Sequence, residues 1–206
     1  MNIVKPIILE IDSGNILSLK NIISKFSENI LITKNDTDIE NCTHIFLPGV
    51  GSYTEVMKKI KNNINIDLLK KKIIDHKVFF MGICVGMQVL SNFGYENEKC
   101  GGLSIINGSV KKLNTKEILP HVGWNSINFS INNKIFDGIS NKTDFYFTHS
   151  FAFELNNHES EIAFTNYGVK FSSMINKENI FGTQFHPEKS QAAGIKLIKN
   201  FLELQK

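Results

Sequence analysis

Three side chains of this 206-residue sequence have the chemistry of acyl transfer: the thiol of Cys84, the imidazole of His186 and the carboxylate of Glu188. The thiol lies in Gly82-Ile83-Cys84-Val85-Gly86-Met87-Gln88, behind Val78-Phe79-Phe80-Met81, an apolar run with the pattern of a fully buried strand. From Gly86 to Phe93 the composition is that of a helix start. A cysteine between two glycines at a strand-to-helix turn is the thiol form of a nucleophile elbow. The glycines let the backbone turn tightly with no Cβ in the way. The turn leaves the sulfur at the strand's carboxyl end, where open α/β sheets bind ligands. The N-terminus of the following helix favours negative charge and so lowers a thiol pKa from its ordinary value of about 8.5. Alone, G-x-C-x-G fits a buried core cysteine as well as a nucleophile.

A thiolate nucleophile needs a base, and the base needs an acceptor that orients it. Pro187 fixes its own φ and pushes His186 towards an extended conformation. Residues two apart in an extended chain face the same way, so Glu188 can hold one imidazole nitrogen while the other points at Cys84. In isolation, His186-Pro187-Glu188 fits an exposed turn equally well. Pro48-Gly49-Val50-Gly51 also follows an apolar run, and flexible glycine backbone there can aim an N–H at a developing oxyanion, beside the N–H of Val85. By itself it is also an ordinary tight turn. Gln88 stands four residues after Cys84, on the same helical face, within reach of a substrate amide or carboxylate unless that face is solvated.

Elements that could position these groups are legible in order. Pro6 to Ile11 is an apolar run ending in the turn Asp12-Ser13-Gly14-Asn15. Ile16, Leu19, Ile22, Ile23 and Phe26 follow at helical spacing. Ile30 to Thr33 and His44 to Leu47 read as further strands, and Tyr53–Ile60 and Ile66–Ile74 as helices, ahead of the strand that carries Cys84. Strands alternating with helices imply a mostly parallel sheet covered by helices on both faces. In the second half, Leu103–Val110, Trp124–Phe129 and Phe145–Phe151 are short and strand-like. Glu161–Thr165 and Val169–Ile175 read as a hairpin, Ile180–Phe185 as a last buried strand, and the chain closes on a helix from about Gln191 to Leu204. The expectation is one α/β domain spanning residues 1–206, three-layered, with antiparallel strands added in the second half.

Composition narrows the function. Hydrophobic content of 42% and charged content of 21% are ordinary for a soluble globular protein. A net charge of +3 is too small and scattered for a nucleic-acid partner, and Lys70-Lys71-Lys72 reads as a solvated helix face. The N-terminus lacks the pattern of a secretory signal, and no apolar run approaches the ~20 residues that span a bilayer. Cys42, Cys84 and Cys100 are odd in number and lack metal-ligand spacing. These features point to a reduced cytoplasm.

Taken together, P-G-V-G, G-I-C-V-G-M-Q and F-H-P-E-K-S, in this order and spacing, closely resemble the triad-type (class I) glutamine amidotransferases. Pro120-His121-Val122-Gly123-Trp124-Asn125, Phe145-Tyr146-Phe147-Thr148-His149-Ser150 and Gln184 to Ser190 resemble the branch that feeds histidine biosynthesis. The resemblance runs from about Ile7 to Leu202. It implies that Cys84 attacks the side-chain amide of glutamine, that His186 moves the protons and that Glu188 orients His186. It implies an oxyanion hole from Gly49, Val50, Gly51 and Val85, and no metal or organic cofactor. Gln88, Glu96 and the backbone around Ser150 match glutamine-holding positions. Asn15, Trp124 and Lys189 match positions facing a (β/α)₈-barrel synthase subunit, which receives the ammonia in a heterodimer. Two departures stand out. The first turn is two residues shorter than the usual D-Y-G-M-G-N, and Val85 replaces the usual Leu. The shorter turn leaves room for a related acceptor chemistry, amidino-sugar formation in surface-polysaccharide pathways. His121 and His149 read as packed residues near the pocket, and Cys42 and Cys100 as spectators.

Overall fold

The computed structural model of the chain describes residues 4–12, 14–130, 132–157 and 160–205. Its first half alternates as expected: β1 (Pro6–Leu9), α1 (Ile16–Ile23), β2 (Leu31–Thr33), α2 (Asp36–Asn41), β3 (His44–Gly49), α3 (Tyr53–Asn63), α4 (Ile66–Ile74), β4 (Phe79–Cys84) and α5 (Val85–Gln88). Short strands follow: β5 (Phe93–Gly94), β6 (Cys100–Gly101), β7 (Gly108–Lys112), β8 (His121–Ser126), β9 (Asp144–His149) and β10 (Phe151–Leu155). Then come β11 (Glu161–Asn166), β12 (Lys170–Lys177), β13 (Ile180–Thr183) and α6 (Gln191–Leu202). The main sheet has seven strands in the order β11-β12-β13-β4-β3-β1-β2. The five from β13 to β2 are parallel, and the β11–β12 hairpin extends them antiparallel. Every residue of β1 and β3 is buried, so those strands are covered on both faces, which explains their unbroken apolar sequence. Among the described residues no helix is long and apolar enough to cross a membrane.

Register is what matters for function. Gly49 of β3 pairs with Cys84 of β4, and Ile83 pairs with Thr183 of β13. Three parallel strands therefore end side by side. Their ends and the loops that leave them carry Pro48-Gly49-Val50-Gly51, the Cys84 turn and His186-Pro187-Glu188.

Several boundaries differ from the sequence pattern. The helix after Cys84 stops at Gln88 instead of running to Phe93, because Leu90 and Ser91 donate to the carbonyls of Met87 and Gln88 and Asn92 donates to Gly108. Leu103 to Ile106 is not a strand: Leu103, Ile105 and Ile106 donate to the carbonyls of Val89 and Leu90, which fastens this apolar stretch beneath the turn after α5. Ser150 separates β9 from β10, which enter different sheets. The unforeseen α2 has one buried residue, Ile39, and two aspartates in its first turn, where the helix dipole favours them.

Three histidines are buried neutral, and they set an acid limit on stability. His44 lies between Phe79 and Phe201, 5.1 and 5.3 Å from their ring centres. Burial lowers the pKa of His44 and of His121 to about 4, and that of His149 to about 3. The unfolded chain takes up these protons below about 6.5, and the folded chain does not. The unfolded state then binds more protons, so stability is whole above pH 6.5 and is lost as pH falls towards 4. The melting temperature is expected to fall across that window, and His44→Phe to flatten the fall; an unchanged slope in that variant refutes the assignment.

Candidate active site

The elbow is built by steric exclusion. A Cβ on Gly82 would lie 2.3 Å from the carbonyl oxygen of Gly86, and one on Gly86 would lie 1.8 Å from that of Leu47. Neither position accepts any side chain. Between them Cys84 sits at φ 54, ψ −113, a conformation that costs a non-glycine residue about 1–3 kcal/mol and that the surrounding packing enforces. The strained turn points the sulfur into a cleft of about 260 Å³. Val50, Gly51, Val85, Gln88, Glu96, Ser150 and His186 line the same cleft.

His186 is almost fully buried, and β9 holds it in place. Its backbone N–H donates to the Tyr146 carbonyl at 2.8 Å, and Ser190 Oγ donates to the His186 carbonyl at 2.6 Å. Nδ1 of His186 lies 2.8 Å from Oε1 of Glu188, whose side chain is also buried. Nε2 makes no hydrogen bond of good geometry with any described residue, yet Cys84 lies near enough to act on it through charge. Burial opposes the imidazolium, but the Cys84 thiolate and the Glu188 carboxylate outweigh it and lift the His186 pKa to about 10.

Gln88 is buried, not solvated. Its Nε2 donates to the Phe151 carbonyl at 2.9 Å and to Gln184 Oε1 at 3.0 Å. Both amide hydrogens are spent, which leaves Oε1 as the group Gln88 can offer, an acceptor suited to an amide or ammonium and not to a carboxylate. Gln184, which the residue-by-residue reading passed over, donates from Nε2 to Cys84 Sγ at 3.7 Å. Gln184 stands two residues before His186, whose own backbone is extended, but Glu188 does not continue an extended run: Pro187–Lys189 forms a short 3-10 turn, and that turn brings the carboxylate to Nδ1.

Glu96 accepts from the backbone N–H of Tyr53 at 2.8 Å, and so grips the first turn of α3. Ser52 and Glu55 form a capping box at the same end. Gly49 is fixed at the other side by its pairing with Cys84. Only Val50 and Gly51 lie between these anchors, and Gly51 has φ +109, a region that suits glycine.

Of the expected partner-facing residues, Trp124 is 48% exposed and packs edge-on to Tyr146 at 6.0 Å, while Lys189 places its ammonium 5.5 Å from the same ring. Asn15 is half-buried beside Gly14, which packs on Pro48. Ser13, in the middle of that turn, lies outside the described residues.

The family model for class-I glutamine amidotransferases matches residues 8–204. The chain belongs to the class-I glutamine amidotransferases. Such an enzyme hydrolyses the side-chain amide of glutamine. Among curated relatives of this amidotransferase, the imidazole glycerol phosphate synthase subunit HisH of Methanocaldococcus jannaschii is 41% identical over 201 residues, which cover 96% of this chain and 98% of that one. Subunit HisH 2 of Methanococcus maripaludis is 40% identical over 198 residues, covering 95% and 98%. This amidotransferase therefore falls in the HisH branch of the family, which contains the glutaminase subunits of imidazole glycerol phosphate synthase. A solved glutamine amidotransferase shares the fold with a TM-score of 0.72 at 16% identity, covering 96% of this chain and 97% of that one.

Proposed function

We propose that Cys84, His186 and Glu188 act together to release ammonia from glutamine, and that this chain hands the ammonia to a (β/α)₈-barrel synthase subunit of histidine biosynthesis. The observation that carries the reading is the convergence of three parallel strand ends on one cleft, with a thiol on a strained turn and a buried imidazole–carboxylate pair beside it. Cys84 Sγ, as thiolate, attacks the side-chain carbonyl carbon of glutamine. The carbonyl oxygen takes the negative charge and is met by backbone N–H groups of Val85 and of the Gly49-Val50-Gly51 loop. His186 Nε2 protonates the departing nitrogen, ammonia leaves and a glutamyl thioester remains. Water then attacks the thioester, His186 takes a proton from it, and glutamate departs as the thiolate–imidazolium pair is restored.

Glu96 and the Oε1 of Gln88 bind the substrate's ammonium and amide, with backbone near Ser150 completing the pocket. The exposed Trp124–Tyr146–Lys189 patch and the Asn15 turn dock the partner in a heterodimer. Asn15 lies next to Gly14, which touches Pro48 of the oxyanion loop, so docking there is mechanically close to catalysis. Three free cysteines fit a reduced cytoplasm.

The test follows the nitrogen. Glutamine labelled with ¹⁵N at its amide is supplied to the chain with the synthase subunit of the same organism and its ribonucleotide substrate. Label is expected in the imidazole product. Label that appears only as free ammonia, or in an amidino sugar when a sugar acceptor and its own barrel partner are supplied, overturns the proposed acceptor.

A further inference from the structure

Two buried histidines outside the proposed triad form part of a hydrogen-bond chain whose direction is fixed from both ends. At one end is Asn125, on β8 beside the exposed Trp124. Its Nδ2 donates to the Asn166 carbonyl at 3.0 Å and its Oδ1 accepts from the Ser126 N–H at 2.8 Å, so its amide cannot be flipped. The same Nδ2 lies 3.3 Å from His121 Nε2, which must therefore accept. That leaves the proton of His121 on Nδ1, which lies 3.2 Å from His149 Nε2. At the other end, His149 Nδ1 lies 2.9 Å from the Phe151 carbonyl, an acceptor only. His149 must then carry its proton on Nδ1 and accept at Nε2, as the first end requires. Reasoning from Asn125 and reasoning from Phe151 give the same tautomers.

The Phe151 carbonyl is also the acceptor for Gln88 Nε2, and Gln88 leads through Gln184 to the sulfur of Cys84. We propose that His121 and His149 are positioning residues for glutamine, holding the Phe151 carbonyl and, through it, Gln88 in the geometry that receives the substrate. The chain runs from the hairpin that carries Trp124 to the nucleophile. His121 suits this task because it is clamped flat, with ring centres of Phe147 and Tyr167 at 4.9 and 3.9 Å. An imidazole held in one plane delivers its N–H in one direction.

This inference rests on the glutaminase reading for its purpose but not for its geometry, and two measurements on the full chain separate them. Long-range ¹⁵N–¹H correlation spectra report which nitrogen of each neutral imidazole is protonated. His121 and His149 are both expected to carry the proton on Nδ1; a proton on Nε2 of either overturns the chain whatever the enzyme does. The second measurement is inactivation by a diazoketone analogue of glutamine, which alkylates Cys84. His121→Phe keeps the stacking but removes the donor, leaving His149 with an unpaired buried acceptor. It is expected to weaken binding of the analogue about tenfold with little change in the alkylation rate at saturation. His121→Asn, whose amide can replace the Nδ1 donor, is expected to recover most of that loss. Unchanged binding in a folded His121→Phe, or a failure of His121→Asn to recover, overturns the positioning role. If the parent chain is not alkylated at Cys84 at all, the glutaminase reading fails while the tautomers still decide the chain.

Discussion

Replacing Cys84 with alanine is expected to lower glutamine hydrolysis by at least about 10⁴-fold, the scale seen when a covalent nucleophile is removed. The fold should survive, since alanine introduces no new volume at a turn already enforced by Gly82 and Gly86. In the parent chain a glutamine-like electrophile should label Cys84 alone. Cys42 is a poor competitor on physical grounds: burial raises its pKa to about 11, and its thiol donates to the Ile39 carbonyl at 3.1 Å. Cys100 is half-buried and outside the cleft, so an unselective alkylating reagent could reach it but a reagent shaped like glutamine has no reason to. Peptide mapping after labelling decides the matter, and modification mainly at Cys42 or Cys100 would falsify the nucleophile.

Loading the synthase partner with its ligand is expected to raise kcat for glutamine by about 10²–10³, the cost of one missing oxyanion donor, with a smaller change in KM. A free glutaminase would spend glutamine without an acceptor, and Val50–Gly51 is where the protein can prevent that. Gly51 permits a peptide rotation at little steric cost, and only one orientation offers an N–H to the tetrahedral intermediate. Steady-state kinetics with and without the loaded partner test this. Full activity in the isolated subunit would remove the switch and leave the proposed triad intact.

The fold was legible because its strands and helices follow different hydrophobic periods. Unbroken runs such as Ile45-Phe46-Leu47 mark strands covered on both faces, and the spacing of Ile16, Leu19 and Ile23 marks a helix packed on one side. What escaped was decided by non-local bonds. Leu103 to Ile106 looks like a strand, but its N–H groups find carbonyls in the turn after α5. The one-residue apolar face of α2 carries no periodic signal. At the site, Cys84, Gln88, Glu96, Ser150 and His186 could be nominated from motifs, and the cleft brings them together. The grip of Glu96 on Tyr53 and the direction of the Asn125–His121–His149 chain were invisible, because each joins residues far apart in sequence whose relation exists only once the sheets are packed.

The anchors on either side of Val50 and Gly51 have a kinetic consequence. A peptide clamped at both ends moves as a crankshaft: it spins about the line joining its fixed points and sweeps almost no volume. No side chain must leave the cleft and no helix must slide for the N–H to swing into place. Such local torsions settle in nanoseconds to microseconds, far faster than domain closure. Turnover would then wait on the arrival of ligand at the partner, and scattering curves of the resting and working complexes should superimpose even as the rates differ by orders of magnitude.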